Sequence, residues 1–181
     1  MGSEMCIRDS ADAAKTMDAA VHALSVFAEK SGPHGMLGGQ SVDVLFTGKH
    51  PEKERLDYIY RLKTCALIEA SMMMGAILAG AGNESVAQFE DIGRSVGMAF
   101  QIQDDILDCT GDAALLGKPL NSDEKNGKTT YVTLFGIDTA RAEVERLSEN
   151  ARHTLENVDS ADENEKKFLL WLIESLVKRM Y

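Results

Sequence analysis

The stretch Phe100-Gln101-Ile102-Gln103-Asp104-Asp105-Ile106-Leu107-Asp108, with Gly111 just beyond it, concentrates the candidate chemistry of this chain. On a helix, Asp104 and Asp108 lie one turn apart on one face, and Gln101 and Asp105 share the adjoining strip. Gly111 is a natural residue to follow a helix, which puts three carboxylates in the last two turns. That is the unfavourable end for anions. Each costs about 0.3–1 kcal/mol against the macrodipole, and the like-charged i,i+4 pair adds roughly 0.2–0.5 kcal/mol. A sequence that keeps such a cluster has a use for a cation there. Hard carboxylate oxygens suit Mg²⁺ or Ca²⁺, and Mg²⁺ takes one or two protein carboxylates and fills its shell with water and phosphate oxygens. The plainer reading is a solvated acidic helix end, which a bare D-D-x-x-D does not exclude.

Basic residues follow. Leu116-Gly117-Lys118-Pro119, Ser122-Asp123-Glu124-Lys125 and Gly127-Lys128 lie in a long loop, Asp112 to Gly127 and its edge, just past the aspartates. A loop of that length in a helical domain is functional or disordered. Asp and Lys around one site is the composition of metal–phosphate chemistry; the competing reading is a connector whose charges keep it soluble. Lys63-Thr64 sits mid-helix, where a surface lysine with its stem laid on apolar neighbours is the simpler account. Gln40 and Asp43 share a helix face three residues apart, as a surface pair also would.

The elements that must position these residues are helical. The spacing predicts helices over 11–30, 35–46, 51–79 and 84–108, a short buried helix within 129–136, and further helices over 138–158 and 163–178. Gly32-Pro33 stops the first, Pro51 opens the third, and Asp138 caps the sixth. The Gly-rich second helix gives up about 1 kcal/mol per glycine, in exchange for close approach of another helix or a ligand. Met72-Met73-Met74 reads as core packing, Trp171 as a packing anchor, His153 as a surface residue and Cys109 as buried filler.

The chain has 181 residues, 44% of them apolar, and a net charge of −10, which suits one all-α domain and argues against nucleic acid as a partner. Three cysteines without a C-x-x-C point to a reducing cytoplasm. The longest weakly polar run, Ser71 to Gly82, is too short to span a bilayer. Met1 to Ser10 reads as a foreign leader resembling a translated sequencing adapter, so the fold is expected over residues 11–181.

Taken in order, Gly38-Gly39-Gln40 with Asp43, Lys63-Thr64, F-Q-I-Q-D-D-I-L-D with Gly111-Asp112, L-G-K-P, Ser122-Asp123 and G-K-T-T-Y resemble the C-terminal part of the trans-isoprenyl diphosphate synthases, of farnesyl and geranylgeranyl type. The resemblance implies an all-helical bundle around a central cavity and a homodimer when intact. The reaction it implies is Mg²⁺-dependent prenyl transfer from an allylic diphosphate to isopentenyl diphosphate. It assigns Asp104, Asp105 and Asp108 to the second aspartate-rich motif, with Asp104 the direct Mg²⁺ ligand and the others holding metal-bound water. Lys63, Lys118 and Lys128 would meet diphosphate oxygens, with Lys63, Asp104 and Lys128 carrying the catalysis. Gln40, Thr64 and Gln101 would contact the allylic substrate, and Asp43 and Asp123 would stand in an outer shell.

One departure matters. The family carries a first D-D-x-x-D on an earlier helix, followed by an arginine, and these 181 residues hold no second such motif. The expectation is an N-terminally truncated synthase, inactive alone, that lacks most of the isopentenyl diphosphate site and exposes apolar faces. A non-catalytic subunit that binds Mg²⁺ and diphosphate beside a complete synthase is the alternative. A class I terpene cyclase would need an N/D-D-x-x-S/T-x-x-x-E motif that is not found here.

Overall fold

The computed structural model describes residues 17–111, 127–158 and 163–177. In chain order the helices are α1 (Met17–Ser31), α2 (Met36–Phe46), α3 (Lys53–Tyr60), a π-helical turn (Arg61–Cys65), α4 (Ala66–Leu78), α5 (Asn83–Thr110), α6 (Tyr131–Phe135), α7 (Ile137–Glu156) and α8 (Glu163–Val177). No strand occurs among the described residues, in keeping with the all-α expectation.

Helix α5 is the axis. Glu84 in its first turn suits the macrodipole, and its apolar residues recur at helical spacing on more than one face. Ala99, Ile102 and Ile106 join Leu56, Ile59 and Tyr60 of α3 and Val144 of α7 in one core. Ile92 and Val96 join Ala151 and Leu155 of α7 and Ile173 of α8 in a second. Near its start, Val86 packs with Ala23 and Val26 of α1 and Ala76 and Ile77 of α4. A helix buried on several sides must carry such residues nearly all round. Met73 and Met74 pack against this third cluster and Met72 against the second, as the methionine run suggested.

Four expectations change. The helix expected over 51–79 is two helices joined by the π turn, where the Ala66 N–H donates to the Arg61 carbonyl five residues back. Gly136, with φ of 80°, caps α7; Asp138 lies inside its first turn and makes no cap hydrogen bond. Gly111 ends α5 with extended backbone, φ −70° and ψ 178°, so no left-handed residue is needed there. Trp171 is 61% exposed and stacks beside Phe168, because Ile173 and Val177 take the inward face of α8.

The short helix expected within 129–136 does form as α6, but of its five residues only Tyr131 is buried, and Leu134 lies on the surface. Thr130 and Thr133 close a reciprocal capping box, each hydroxyl taking the other's backbone N–H. Several apolar residues of α1 and α2 remain exposed, among them Met17, Val21, Leu37, Val44 and Leu45. Lys118, Asp123 and the Met1–Ser10 leader lie outside the described residues.

Candidate functional site

Three pieces of chain meet along the carboxyl-terminal half of α5: α2, the π turn, and the stretch leading into α6. A cleft between them is lined by Asp43, Lys63, Gln101, Asp105 and Lys128, over apolar walls that include Phe46, Leu56 and Ile59.

The neighbours of the π turn come unusually close. A Cβ on Gly39 of α2 would stand 2.4 Å from the Lys63 nitrogen and 2.7 Å from Leu62 Cβ. A Cβ on Gly97 of α5 would stand 2.7 Å from Cys65 Cα. Two glycines thus let the turn sit pressed between α2 and α5. From there Lys63 faces α2 and Thr64 faces α5. Lys63 Nζ donates to Asp43 Oδ2 at 2.7 Å, and Lys128 Nζ stands 4.0 Å from the same oxygen. Thr64 Oγ1 donates to Gln101 Oε1 at 2.8 Å. Cys65, the last residue of the turn, is fully buried; burial pushes its thiol up to about 12, so it is no nucleophile.

The three aspartates differ in setting. Asp104 is half-buried. Asp105 is 3% exposed and Asp108 2%. Asp105 Oδ2 accepts the Tyr60 hydroxyl at 2.6 Å and the Tyr131 N–H at 2.8 Å. A solvated acidic helix end is therefore not what the structure contains at Asp105 and Asp108. Tyr131 is the first residue of α6, so Asp105, in the last two turns of α5, meets the favourable end of another helix.

Among the described residues no group of three or more His, Cys, Asp or Glu side chains converges as a ready cage for a metal ion. That excludes a closed structural site there, not Mg²⁺. The half-buried carboxylate of Asp104, next in the chain to the cleft-lining Asp105, fits an ion that draws most of its ligands from water and phosphate oxygens.

Lys63, Thr64, Gln101, Lys128 and Asp43 are thus brought together. Thr64 reaches the cleft through its bond to Gln101, while Asp104 and Asp108 lie along α5 on either side of the cleft-lining Asp105. Gln40 is exposed on α2 and does not line the cleft.

Two features went unseen in the sequence. Tyr60 is the first; an aromatic three residues before Lys63 reads simply as part of an apolar stripe. The second is Glu69, only 2% exposed. It is ion-paired with Lys30, and Arg94 Nε donates to it at 3.2 Å. Lys30 also donates to Glu90 at 2.6 Å. Burial alone would lower the Lys30 pKa and raise that of Glu90, but their hydrogen bonds outweigh it, so Lys30 lies above and Glu90 below its ordinary value. A lone acid inside the run Ala66–Leu78 was the available signal.

Residues 4–168 match the family described as Polyprenyl synthetase. The chain is 42% identical over 136 residues to a farnesyl diphosphate synthase of Escherichia coli, a match covering 75% of this chain and 46% of that protein. It is 36% identical over 143 residues to a chloroplastic geranylgeranyl pyrophosphate synthase of Arabidopsis thaliana, covering 77% and 40%. Among solved structures, a Helicobacter pylori geranyltransferase complexed with magnesium and isoprenyl diphosphate superposes with a TM-score of 0.80 at 26% identity, over 96% of this chain and 57% of the other. The chain spans about half the length of the curated relatives it matches. No described helix is long and apolar enough to cross a membrane. The lysine and aspartate positions found in the cleft, the all-helical architecture and the matched span agree: the chain belongs to the polyprenyl synthetase family.

Proposed function

We propose that this chain supplies the second aspartate-rich wall of a Mg²⁺-dependent prenyltransferase of farnesyl or geranylgeranyl type, cytoplasmic and homodimeric when intact. It would join an allylic diphosphate to isopentenyl diphosphate. The observation that carries the reading is the convergence of Lys63 and Lys128 on Asp43 beside a cleft walled by Asp105. A diphosphate entering there meets two ammonium groups already gathered by a carboxylate, which it replaces as their partner.

The chain's own residues then have separate tasks. Lys63 and Lys128 hold the diphosphate oxygens as negative charge builds on the leaving group, an electrostatic contribution to ionisation. Asp104 would hold the metal, and Asp108 would orient a water bound to it. Mg²⁺, when bound, withdraws charge from the departing diphosphate. The Thr64 hydroxyl, fixed by Gln101, and Gln101 itself present polar groups to the allylic end. Phe46, Leu56 and Ile59 keep that part of the cleft apolar. Lys118 and Asp123 keep the roles the resemblance gives them, whereas Gln40, exposed on α2 away from the cleft, is given none. The absence of a second D-D-x-x-D from these residues supports an incomplete site, and this chain alone should form no prenyl diphosphate.

Calorimetric titration with inorganic diphosphate tests the site. Binding should require Mg²⁺ and weaken by about tenfold or more in Asp104→Ala, the loss of one charge-assisted contact. Binding that ignores both Mg²⁺ and this substitution would remove Asp104 from the metal site. Turnover of allylic and isopentenyl diphosphates by the 181-residue chain would refute its inactivity.

A further inference from the structure

One carboxylate oxygen ties together the two pieces of chain that carry the cleft lysines. Asp105 Oδ2 takes the Tyr60 hydroxyl at 2.6 Å and the Tyr131 N–H at 2.8 Å. Tyr60 is three residues before Lys63, at the last position of α3 before the π turn. Tyr131 is three residues after Lys128. All three groups are buried: Tyr60 is 7% exposed, Tyr131 5% and Asp105 3%. The stretch carrying Lys128 is fastened at its other end to the loop between α2 and α3. There the Gly48 N–H donates to the Gly127 carbonyl at 3.1 Å, and the Thr129 hydroxyl donates to the Lys49 carbonyl at 3.3 Å.

We propose that Tyr60 is a positioning residue: through Asp105 it fixes the height at which the 127–131 stretch docks on α5, and so the reach of Lys128 toward a bound diphosphate. Asp105 then serves chiefly as a clamp within the protein. This sets it apart from Asp104, although the two are neighbours of identical type. The inference uses the diphosphate reading for its ligand, but the clamp stands on the protein geometry alone. The physical ground is that a hydroxyl and an N–H converging on one buried anion are held far more firmly than either is by a neutral acceptor. A lysine about 1 Å out of place loses a large part of its electrostatic benefit.

Tyr60→Phe keeps the ring in the core and removes only the hydroxyl. Two measurements on the 181-residue chain decide the matter. In hydrogen–deuterium exchange without ligand, the amides of residues 127–131 should exchange about fivefold or more faster in Tyr60→Phe. Asp105→Asn, which keeps the side-chain shape but removes the charge, should do the same. Unchanged exchange in both variants overturns the clamp. In titration with inorganic diphosphate and Mg²⁺, Tyr60→Phe should weaken binding about five- to tenfold, and by less than about twofold when Lys128 is already Ala. A merely structural tyrosine would lower both backgrounds equally, and that result overturns the proposal. Absence of Mg²⁺–diphosphate binding by the unsubstituted chain would reject the functional reading instead, and the exchange rates would then decide the clamp by themselves.

Discussion

Gly39→Ala is the sharpest structural test of how the site is held. Alanine is the better helix former by about 1 kcal/mol, and at an open helical position that gain should appear as stability. At Gly39 the new methyl would lie 2.4 Å from the Lys63 nitrogen, 2.7 Å from Leu62 Cβ and 2.8 Å from the Leu62 carbonyl carbon. Two of these are backbone atoms and cannot swing aside. Overpacking costs about 1–3 kcal/mol, and three contacts this short place the change near the upper value. Subtracting the helix gain leaves a net loss of about 2 kcal/mol. For a chain of this size that is a fall of about 4–8 °C in Tm. Gly75 is the matched control: it lies inside α4 with nothing within 4 Å of its added Cβ. Gly75→Ala should gain about 0.5–1 kcal/mol. Urea titrations followed by circular dichroism would measure both. The π turn must move to admit the methyl, so Gly39→Ala should also weaken diphosphate binding, whereas Gly75→Ala should leave it unchanged. If Gly39→Ala is as stable as Gly75→Ala, the close approach of α2 to the π turn is wrong, and so is the account of how Lys63 reaches Asp43.

Two other outcomes follow from the charged and buried groups. The depressed Glu90 pKa contributes stability that is complete above its ordinary value of 4.5 and is lost as pH falls through the lower folded value. The raised Lys30 pKa contributes stability that is complete below 10.5 and is lost as pH rises through the folded value above that. Lys30→Met should therefore lower the urea midpoint throughout pH 6–9, with the deficit shrinking at acid pH; an equal deficit at pH 3 and pH 7 would rule out the ion pair as its cause. Cys65, with its thiol pushed up to about 12 by burial, should resist iodoacetamide in the folded chain at pH 8 and react after unfolding in urea, as read by mass spectrometry. Labelling of native Cys65 at the rate of the unfolded chain would contradict its burial at the end of the π turn.

The helices were legible because each carries its own apolar period and end signals within a short window, and α6 could be recognised as helix because no strand partner existed. The π turn was not legible. Widening one turn barely alters the apolar pattern of the 51–79 stretch, and the glycines that let neighbours press against it, Gly39 and Gly97, belong to other helices. The aspartates show the same limit. Asp104 and Asp105 are indistinguishable as letters. Their different settings come from Tyr60 and Tyr131, which are 45 and 26 residues from Asp105 in the chain. Lys63 and Asp43 were both identified, but as a diphosphate ligand and an outer-shell group; their direct bond needed the fold. Trp171 failed as an anchor because burial on a one-sided helix goes to the inward phase, and the larger side chain did not hold it.

The π turn also acts as a phase adjuster. Each residue advances an α-helix by about 100°, so the one extra residue accommodated within Arg61–Cys65 turns α4 by roughly that angle from where an unbroken rod would carry it. The offset lets α3 direct Leu56 and Ile59 into the core shared with α5 and α7 while α4 directs Glu69 toward Lys30 and Ala76 toward α1. Deleting one residue there would give a more regular helix and a worse protein. Glu69 would swing away from its two cations, Lys30 and Arg94. In this part of the chain, residue count constrains the structure as tightly as residue identity does.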